Sequence, residues 1–125
     1  MKFLHVMIRV KNIEKSLKFY TELFEMNLVN EMRLDDCSLY FLSDQDGQTQ
    51  IELTYNDETP EGGYELGSGF GHFAFGVKSM DEFTAKMKKG GHQYSIEPFV
   101  LGNHDLKITF LKDPDGYEIE LIEEK

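Results

Sequence analysis

An internal repeat dominates this sequence. Residues 3–17 (FLHVMIRVKNIEKSL) align with residues 70–84 (FGHFAFGVKSMDEFT) without a gap. The alignment pairs His5 with His72, and in each copy a helix-capping residue and an amphipathic run follow. Repetition at this scale indicates two copies of one supersecondary unit.

A second matched segment ends each copy. Residues 50–56 (QIELTYN) align with residues 118–124 (EIELIEE) at nearly the same spacing along the chain and pair Glu52 with Glu120. Each copy therefore opens with a histidine-bearing strand and ends with a glutamate-bearing strand. A histidine, a glutamate and a capping residue that all repeat in register are a strong signal of duplication.

Local patterns predict the elements of each copy, because period-2 alternation indicates strands, capping residues indicate helix ends and Asp-Gly pairs indicate turns. In the first copy we expect a strand at 3–10, a helix from Asn12, strands near 29–34, 38–43 and 49–55, and a turn at Asp46-Gly47. In the second copy we expect a strand at 72–77, a helix capped by Ser79 and ended by Gly90-Gly91, strands near 93–97, 106–111 and 117–123, and a type I turn at Asp113–Gly116.

The predicted fold is α+β, with two βαβββ modules in tandem. We expect residues 1–125 to form one domain, with repeats at about 1–56 and 70–125 joined by the Gly-rich, acidic linker 57–69. The length of the chain agrees with a single domain built from two small halves.

The charge of the chain limits its partners. Thirteen basic and twenty-three acidic residues give a net charge of −10, which repels phosphate backbones and anionic lipid. We therefore expect no nucleic-acid partner and no membrane partner, and no apolar run approaches the roughly 20 residues that span a bilayer. The segment MKFLHVMIRV lacks a small-residue cleavage pattern, so we expect no signal peptide. Cys37 is the single cysteine, which favours the reducing cytoplasm and a packing role.

Alternate side chains of a strand point to opposite faces of a sheet. The apolar residues of the predicted strands take the helix side, which puts the repeated histidines and glutamates on the opposite face: His5, Glu52, His72 and Glu120. Two imidazoles and two carboxylates suit a borderline divalent cation and leave nickel, cobalt, manganese, iron and zinc open. His92 and His104 have no repeat partner, and we expect both at the surface.

Five segments carry a resemblance to a known family: LHVMIRV, SLKFYTELFEM, IELTYN, YELGSGFGHFAFGV and DPDGYEIELIEEK. Over essentially its whole length the chain resembles glyoxalase I (lactoylglutathione lyase) of the vicinal oxygen chelate superfamily. The resemblance implies paired βαβββ modules around a concave metal site. It also implies a metal-assisted proton transfer that isomerises the hemithioacetal of methylglyoxal and glutathione to S-lactoylglutathione, which detoxifies methylglyoxal.

The resemblance also implies residue roles. The metal ligands it implies are His5, Glu52, His72 and Glu120, and the metal is Ni²⁺, next Co²⁺, with Zn²⁺ possible. Glu120 would be the principal catalytic base, with Glu52 able to act on the opposite face of the substrate. Substrate contacts would come from Arg9, Asn56 and His72. The family's sites lie at a homodimer interface and take their halves from different chains, so a homodimer with shared sites is expected.

The chain departs from the family pattern at three places. Ser68 stands where many members have a basic residue, the loop LGNHD (101–105) stands where many have a lysine, and Glu25 stands where a glycine usually follows the first helix. Two cations that would hold the carboxylates of glutathione are therefore missing. This leaves open whether the thiol is glutathione or another low-molecular-weight thiol.

Two other functions remain open at this stage. One is a different metal-dependent enzyme of the same superfamily, such as an epimerase or a thiol transferase. Glu52 within IELTYN speaks against it, because relatives often carry another residue there. The other is a metal-free small-molecule binding module, against which the presence of all four ligands argues. A metal assay separates this second alternative from the enzymes.

Overall fold

The computed structural model describes residues 1–125, which fold as two compact units. Module 1 comprises Met1–Glu65 and module 2 comprises Leu66–Lys125. Each contains one four-stranded sheet and one principal helix, so the predicted α+β class with two tandem βαβββ modules is confirmed. The boundary between the units falls inside the predicted linker 57–69. That the two units form one domain stays a prediction.

Module 1 follows the predicted order of elements. Its elements are β1 (His5–Arg9), α1 (Ile13–Lys18), a π-helical turn (Phe19–Leu23), β2 (Asn27–Arg33), β3 (Cys37–Ser43) and β4 (Gln50–Asn56). The strand order in the sheet is β1-β4-β3-β2, with β1 parallel to β4 and the other pairs antiparallel. Asn12 begins the helix as predicted, because its side chain accepts a hydrogen bond from the backbone N–H of Lys15.

Module 2 repeats this arrangement. Its elements are β5 (His72–Val77), α2 (Met80–Lys89), β6 (Ile96–Val100), a 3₁₀ turn (Gly102–His104), β7 (Lys107–Lys112) and β8 (Glu118–Glu123). The strand order is β5-β8-β7-β6, again with the first and last strands parallel. Ser79 caps α2 by accepting from the N–H of Glu82 at 3.1 Å, and Gly91 takes the left-handed conformation after the helix with φ of 82°.

Two local features differ from the expected elements. The strand expected at 93–97 begins at Ile96, because the hydroxyl of Tyr94 bonds to that of Thr84 at 2.7 Å and holds the preceding segment on α2. The first helix ends in the π-helical turn Phe19–Leu23, within which the Thr21 hydroxyl bonds to the Leu17 carbonyl at 2.6 Å. Such back-bonding from threonine loosens regular helix geometry.

The two faces of each sheet divide as the alternation predicts. In β1 Ile8 is buried, whereas Met7 and Arg9 on either side of it are exposed. In β8 Ile119 and Leu121 are fully buried and alternate with half-buried residues. The core of each module therefore lies on the helix side of its sheet, and the other face is left for polar side chains. Neither α2 nor any shorter helix has the length and apolar character of a membrane-crossing segment.

Candidate active site

In module 1 the structure brings His5 and Glu52 together. Both lie on the face of the sheet away from the core, on the parallel neighbours β1 and β4. The Nε2 atom of His5 is 3.2 Å from a carboxylate oxygen of Glu52. The His5 side chain is 33% exposed and the Glu52 side chain 11% exposed, so the pair opens to solvent through its imidazole.

Module 2 contains the matching pair. The Nε2 atom of His72 is 3.1 Å from a carboxylate oxygen of Glu120, and their side chains are 43% and 17% exposed. Each glutamate thus stands next to the histidine of its own repeat.

The strand register of the two modules is the same. Glu52 lies opposite Met7, which is two residues after His5. Glu120 lies opposite Ala74, which is two residues after His72. The duplication seen in the sequence is therefore kept in the pairing of the strands, and the two pairs have equivalent geometry.

One aromatic ring packs against each imidazole, a feature that the sequence pattern does not predict. The ring of Phe41 lies edge-on to His5 with centroids 5.5 Å apart, and the ring of Phe110 lies edge-on to His72 at 5.4 Å. Phe41 is opposite Glu52 in the antiparallel register, and Phe110 occupies the same place opposite Glu120. These rings restrict how far the imidazoles can rotate. Alignment of the third strand of each repeat could have revealed them.

The carboxylates of Glu52 and Glu120 differ in the number of oxygens that have a partner. The hydroxyl of Thr54 donates a 2.8 Å hydrogen bond to the second carboxylate oxygen of Glu52. Thr54 and Glu52 are both buried. The position equivalent to Thr54 in module 2 is Ile122, whose side chain has no hydroxyl, and Glu120 is half-buried. Glu52 is therefore fixed at both oxygens, whereas Glu120 is fixed at one.

Each pair fits two ligands of one divalent ion. Two ligand atoms that lie ~2.1 Å from an ion and at a right angle to each other are roughly 3 Å apart, which is close to the separations found in both pairs. An imidazole nitrogen and a carboxylate oxygen are suitable ligands for nickel, cobalt and zinc. Within either module, no group of three or more His, Cys, Asp or Glu side chains is arranged to hold a metal ion.

The other two histidines belong to neither pair. His92 is half-buried after α2, with its ring against Gly90. His104 is exposed in the 3₁₀ turn. The surface position expected of both holds for His104, whereas His92 is partly covered by the end of the helix.

Arg9 and Asn56, the residues implied as substrate contacts, lie beyond the His5–Glu52 pair. Arg9 is exposed on the same strand as His5, at the position opposite Thr54. The side-chain amide of Asn56 donates a 2.7 Å hydrogen bond to the hydroxyl of Tyr64. Together Asn56 and Tyr64 line a cleft of about 510 Å³ whose other walls are Asp35, Asp36, Asp57, Glu58 and Pro60. The structure therefore places a cleft beside Asn56, with mostly acidic walls.

One acidic residue of the cleft, Asp57, forms a salt bridge with Arg33. The guanidinium of Arg33 makes two hydrogen bonds to the carboxylate of Asp57, at 2.7 and 2.5 Å. These bonds lower the pKa of Asp57 and raise the pKa of Arg33. Nearby, desolvation and then the Asp36 charge raise the pKa of the Cys37 thiol, which agrees with an unreactive packing role for this cysteine.

Comparison with known proteins shows that the chain is similar to one family over nearly its full length. Residues 2–121 match the Glyoxalase/Bleomycin resistance protein/Dioxygenase superfamily. The probable lactoylglutathione lyase of Vibrio parahaemolyticus is 40% identical over 99% of this chain and 91% of its own length. The lactoylglutathione lyase of Escherichia coli O157:H7 is 36% identical over 100% of this chain and 94% of its own length.

The fold is similar to that of a solved structure as well. Glyoxalase I from Zea mays matches with a TM-score of 0.86 and 32% identity, over 97% of this chain and 44% of the maize chain. The chain thus spans less than half of the maize enzyme but nearly all of the bacterial relatives.

Proposed function

We propose, from the premise that this chain belongs to the Glyoxalase/Bleomycin resistance protein/Dioxygenase superfamily, that it is a lactoylglutathione lyase. It isomerises the hemithioacetal of methylglyoxal and glutathione to S-lactoylglutathione. The observation that carries this proposal is the pair of equivalent His–Glu contacts, one in each module. The names and near-complete coverage of the bacterial relatives support it.

Four side chains are the proposed metal ligands: His5, Glu52, His72 and Glu120. Nickel is the proposed ion, with cobalt next and zinc third. An N₂O₂ ligand set suits all three, and this order is the one that the family resemblance implies. When bound, the ion supplies Lewis-acid stabilisation of the negative charge that develops on the substrate oxygens during proton transfer.

Glu120 is the proposed base. It removes the proton from the carbon that carries sulfur and hydroxyl and returns that proton to the neighbouring carbonyl carbon. The hydroxyl proton moves to the former carbonyl oxygen, which leaves a thioester carbonyl and a new hydroxyl. This role needs a carboxylate that is able to move, and Glu120 lacks the hydroxyl partner that Thr54 gives to Glu52. Glu52 is proposed as the more rigid ligand. It is also able to act on the opposite face of the substrate.

The thiol part of the substrate is proposed to lie beyond these pairs, toward Arg9 and Asn56. The guanidinium of Arg9 supplies a cation for a carboxylate of glutathione. Asn56 supplies an amide at the edge of the cleft, already oriented by its bond to Tyr64. His72, half-exposed, contacts the substrate at the reacting end.

The proposed assembly is a homodimer in which each site takes one His–Glu pair from each chain. Its support is that each module supplies two of the four proposed ligands, as one His–Glu pair. The proposed location is the cytoplasm, because the single cysteine suits a reducing compartment.

Metal content tests the ligand set. Each of the variants His5→Ala, Glu52→Ala, His72→Ala and Glu120→Ala is expected to lose bound nickel after purification without chelator. His92→Ala and His104→Ala serve as matched controls and are expected to retain it. Loss of nickel in His104→Ala but not in His5→Ala would contradict the ligand set.

Mixing two inactive variants tests the shared site. In a dimer of one His5→Ala chain and one His72→Ala chain, one shared site lacks both histidines and the other keeps both. Random mixing at equal concentration is therefore expected to restore about a quarter of wild-type turnover. No restoration would mean that each site is built within one chain. A wild type that binds nickel but does not turn over the hemithioacetal would overturn the proposed activity.

A further inference from the structure

The segment that follows β4 folds back onto module 1 and brings Tyr64 to the end of this strand. The hydroxyl of Thr59 donates a 2.6 Å hydrogen bond to the carbonyl of Asn56, and the N–H of Gly63 donates to the carbonyl of Pro60 at 2.9 Å. Gly63 has φ of 85°, a left-handed conformation that glycine adopts without steric cost. These two turns reverse the chain, so the Tyr64 hydroxyl meets the side chain of Asn56.

The side chains of Asn56 and Tyr64 form a hydrogen-bonded pair on the side of the candidate site. Asn56 is four residues after Glu52 on β4, so its side chain points to the same face of the sheet as the His5–Glu52 pair. Its Nδ2 donates to the Tyr64 hydroxyl at 2.7 Å. Both side chains are half-buried and line the cleft of about 510 Å³. The pair is therefore accessible to a small molecule in that cleft.

Each member of the pair keeps one hydrogen-bonding atom that no other group of the chain uses. The oxygen of Tyr64 accepts from Asn56, so the hydrogen of this hydroxyl is left as a donor. The same bond commits one N–H of Asn56 and leaves its Oδ1 atom as an acceptor. A donor and an acceptor, both uncharged, thus lie next to each other at the cleft.

The charge of the cleft favours an uncharged group at this pair over a carboxylate. The walls contain Asp35, Asp36, Asp57 and Glu58, of which only Asp57 has a basic partner, Arg33. A carboxylate in the cleft would be repelled by the other three. An amide meets no such repulsion.

A neighbouring donor and acceptor match the backbone of one extended residue. In an antiparallel sheet two opposed residues exchange both of their N–H···O=C bonds, because the N–H and C=O of an extended residue point to the same side. The hydroxyl of Tyr64 and Oδ1 of Asn56 present the same pattern of one donor and one acceptor.

We propose that Tyr64 and Asn56 bind the N–H and C=O of one residue in the thiol part of the substrate, the residue that carries the sulfur. The Tyr64 hydroxyl donates to the C=O, and Oδ1 of Asn56 accepts from the N–H. The inference rests on the proposed function, which places the thiol near Arg9 and Asn56, and it adds Tyr64 as a substrate contact. Glutathione carries both groups on its cysteinyl residue, whereas a thiol without amides lacks them.

Calorimetric titration of the nickel-loaded protein with S-methylglutathione tests the contact. Tyr64→Phe removes only the hydroxyl and is expected to weaken binding about 3- to 10-fold, the range of one uncharged hydrogen bond. Tyr55→Phe is the matched control, because it makes the same change at the residue before Asn56, whose side chain points to the opposite face of β4. It is expected to leave the affinity unchanged. Equal affinities of Tyr64→Phe and the wild type would overturn the proposal.

A double variant separates a substrate contact from a support of Asn56. In the Asn56→Ala background the amide that Tyr64 holds is gone, and Tyr64→Phe is expected to weaken binding further, because its hydroxyl donates to the ligand itself. No further weakening in the double variant would reduce Tyr64 to a support of Asn56 and would reject the contact.

Two methylated ligands test which residue of the thiol is bound. S-methylglutathione with a methyl group on the cysteinyl nitrogen lacks the N–H that Asn56 accepts, and it is expected to bind the wild type about 3- to 10-fold more weakly. The derivative methylated on the glycyl nitrogen keeps that N–H and the cysteinyl C=O, and it is expected to bind like the parent ligand. The reverse order of affinities would overturn the assignment to the cysteinyl residue.

Steady-state kinetics separate this inference from the proposed activity. Tyr64→Phe is expected to raise KM for the glutathione hemithioacetal and to leave kcat unchanged. If the wild type turns over this substrate and Tyr64→Phe has the same KM, the contact alone is wrong. If the wild type binds S-methylglutathione without turning over the hemithioacetal, the activity is wrong and the titrations decide on Tyr64. A wild type that does not bind S-methylglutathione would overturn both.

Discussion

The hydroxyl of Thr54 holds the carboxylate of Glu52 with a 2.8 Å hydrogen bond. In the equivalent position of module 2, Ile122 leaves Glu120 without this support. A carboxylate fixed at both oxygens makes a good ligand, because partners of this kind orient metal ligands. A carboxylate fixed at one oxygen is free to turn toward a substrate. The duplicated pairs thus differ in a property that the proposed roles of Glu52 as ligand and Glu120 as base require.

Replacement of Thr54 by valine tests this difference. We expect Thr54→Val to weaken nickel binding about 10- to 100-fold, the usual effect of removing a hydrogen bond that orients a ligand. The fold is expected to lose about 1–2 kcal/mol, because a buried oxygen of Glu52 is left without its partner. Calorimetric titration with nickel and thermal unfolding of the metal-free protein measure the two effects.

The control for this variant is Ile122→Val at the equivalent position of module 2, which removes a methylene but no hydrogen bond. Its nickel affinity is expected to match that of the wild type. Equal affinities for Thr54→Val and the wild type would show that the Thr54 bond does not orient Glu52.

Replacement of each glutamate by glutamine separates the base from the ligand. A glutamine carbonyl still binds a metal weakly but cannot accept a proton. We therefore expect Glu120→Gln to lower turnover by about 10² to 10⁴, the usual size of a general-base effect, and to lower metal content less. Glu52→Gln is expected to lower turnover less than Glu120→Gln does. Both variants are compared at saturating nickel, with metal content measured on the same samples, and equal, mild losses would remove Glu120 from the base role.

Sequence alone predicted most of the fold because the repeat shows each element twice. A capping residue, Asn12 or Ser79, begins each principal helix as expected. The start of β6 was less predictable, because it depends on the bond between Tyr94 and Thr84, which are ten residues apart. A contact of this kind leaves no periodic pattern in the sequence.

Strand alternation made the His–Glu pairs of the candidate site predictable, but not the residues around them. Alternation and the repeat placed His5 beside Glu52, as the structure does. The supports of these side chains depend on neighbours across the sheet, such as Phe41 on β3. Which residues face each other there depends on the register between strands, which the turn type and loop length of each hairpin set.

The salt bridge between Arg33 and Asp57 predicts a lowered pKa for Asp57, which a titration can test. Because Arg33 lowers the pKa of Asp57, the pair stabilises the fold at pH values above the ordinary aspartate range, and this contribution is lost as the pH falls through the lowered pKa. We expect Arg33→Gln to raise the pKa of Asp57 toward 3.8, its ordinary value. Carbon-detected NMR titration of the aspartate carboxyls measures the shift.

Lys125→Gln is the control for this titration. Lys125 lowers the pKa of Asp105 through a separate surface pair. Its removal is expected to raise the pKa of Asp105 and to leave that of Asp57 unchanged. A pKa of Asp57 that stays low in Arg33→Gln would mean that another group stabilises its charge.

Glu25 has a left-handed backbone conformation, with φ of 56°, after the π-helical turn Phe19–Leu23. The N–H of the next residue, Met26, donates to the carbonyl of Tyr20 at 2.9 Å, so the chain reverses here as it does at a helix end that favours glycine. A Cβ atom in this conformation costs roughly 1–2 kcal/mol, and glycine avoids that cost.

Glu25→Gly is therefore expected to unfold at a higher temperature than Glu25→Ala, by about 3 °C for a difference of about 1 kcal/mol. Both variants lose the carboxylate and its contacts, so their difference isolates the Cβ atom and the freedom of glycine in the unfolded chain. That freedom partly offsets the gain, which is why we expect a shift of this modest size. Thermal unfolding of the two metal-free variants, followed by circular dichroism, measures it. A midpoint for Glu25→Ala that equals or exceeds that of Glu25→Gly would show that the left-handed backbone at this position carries no strain.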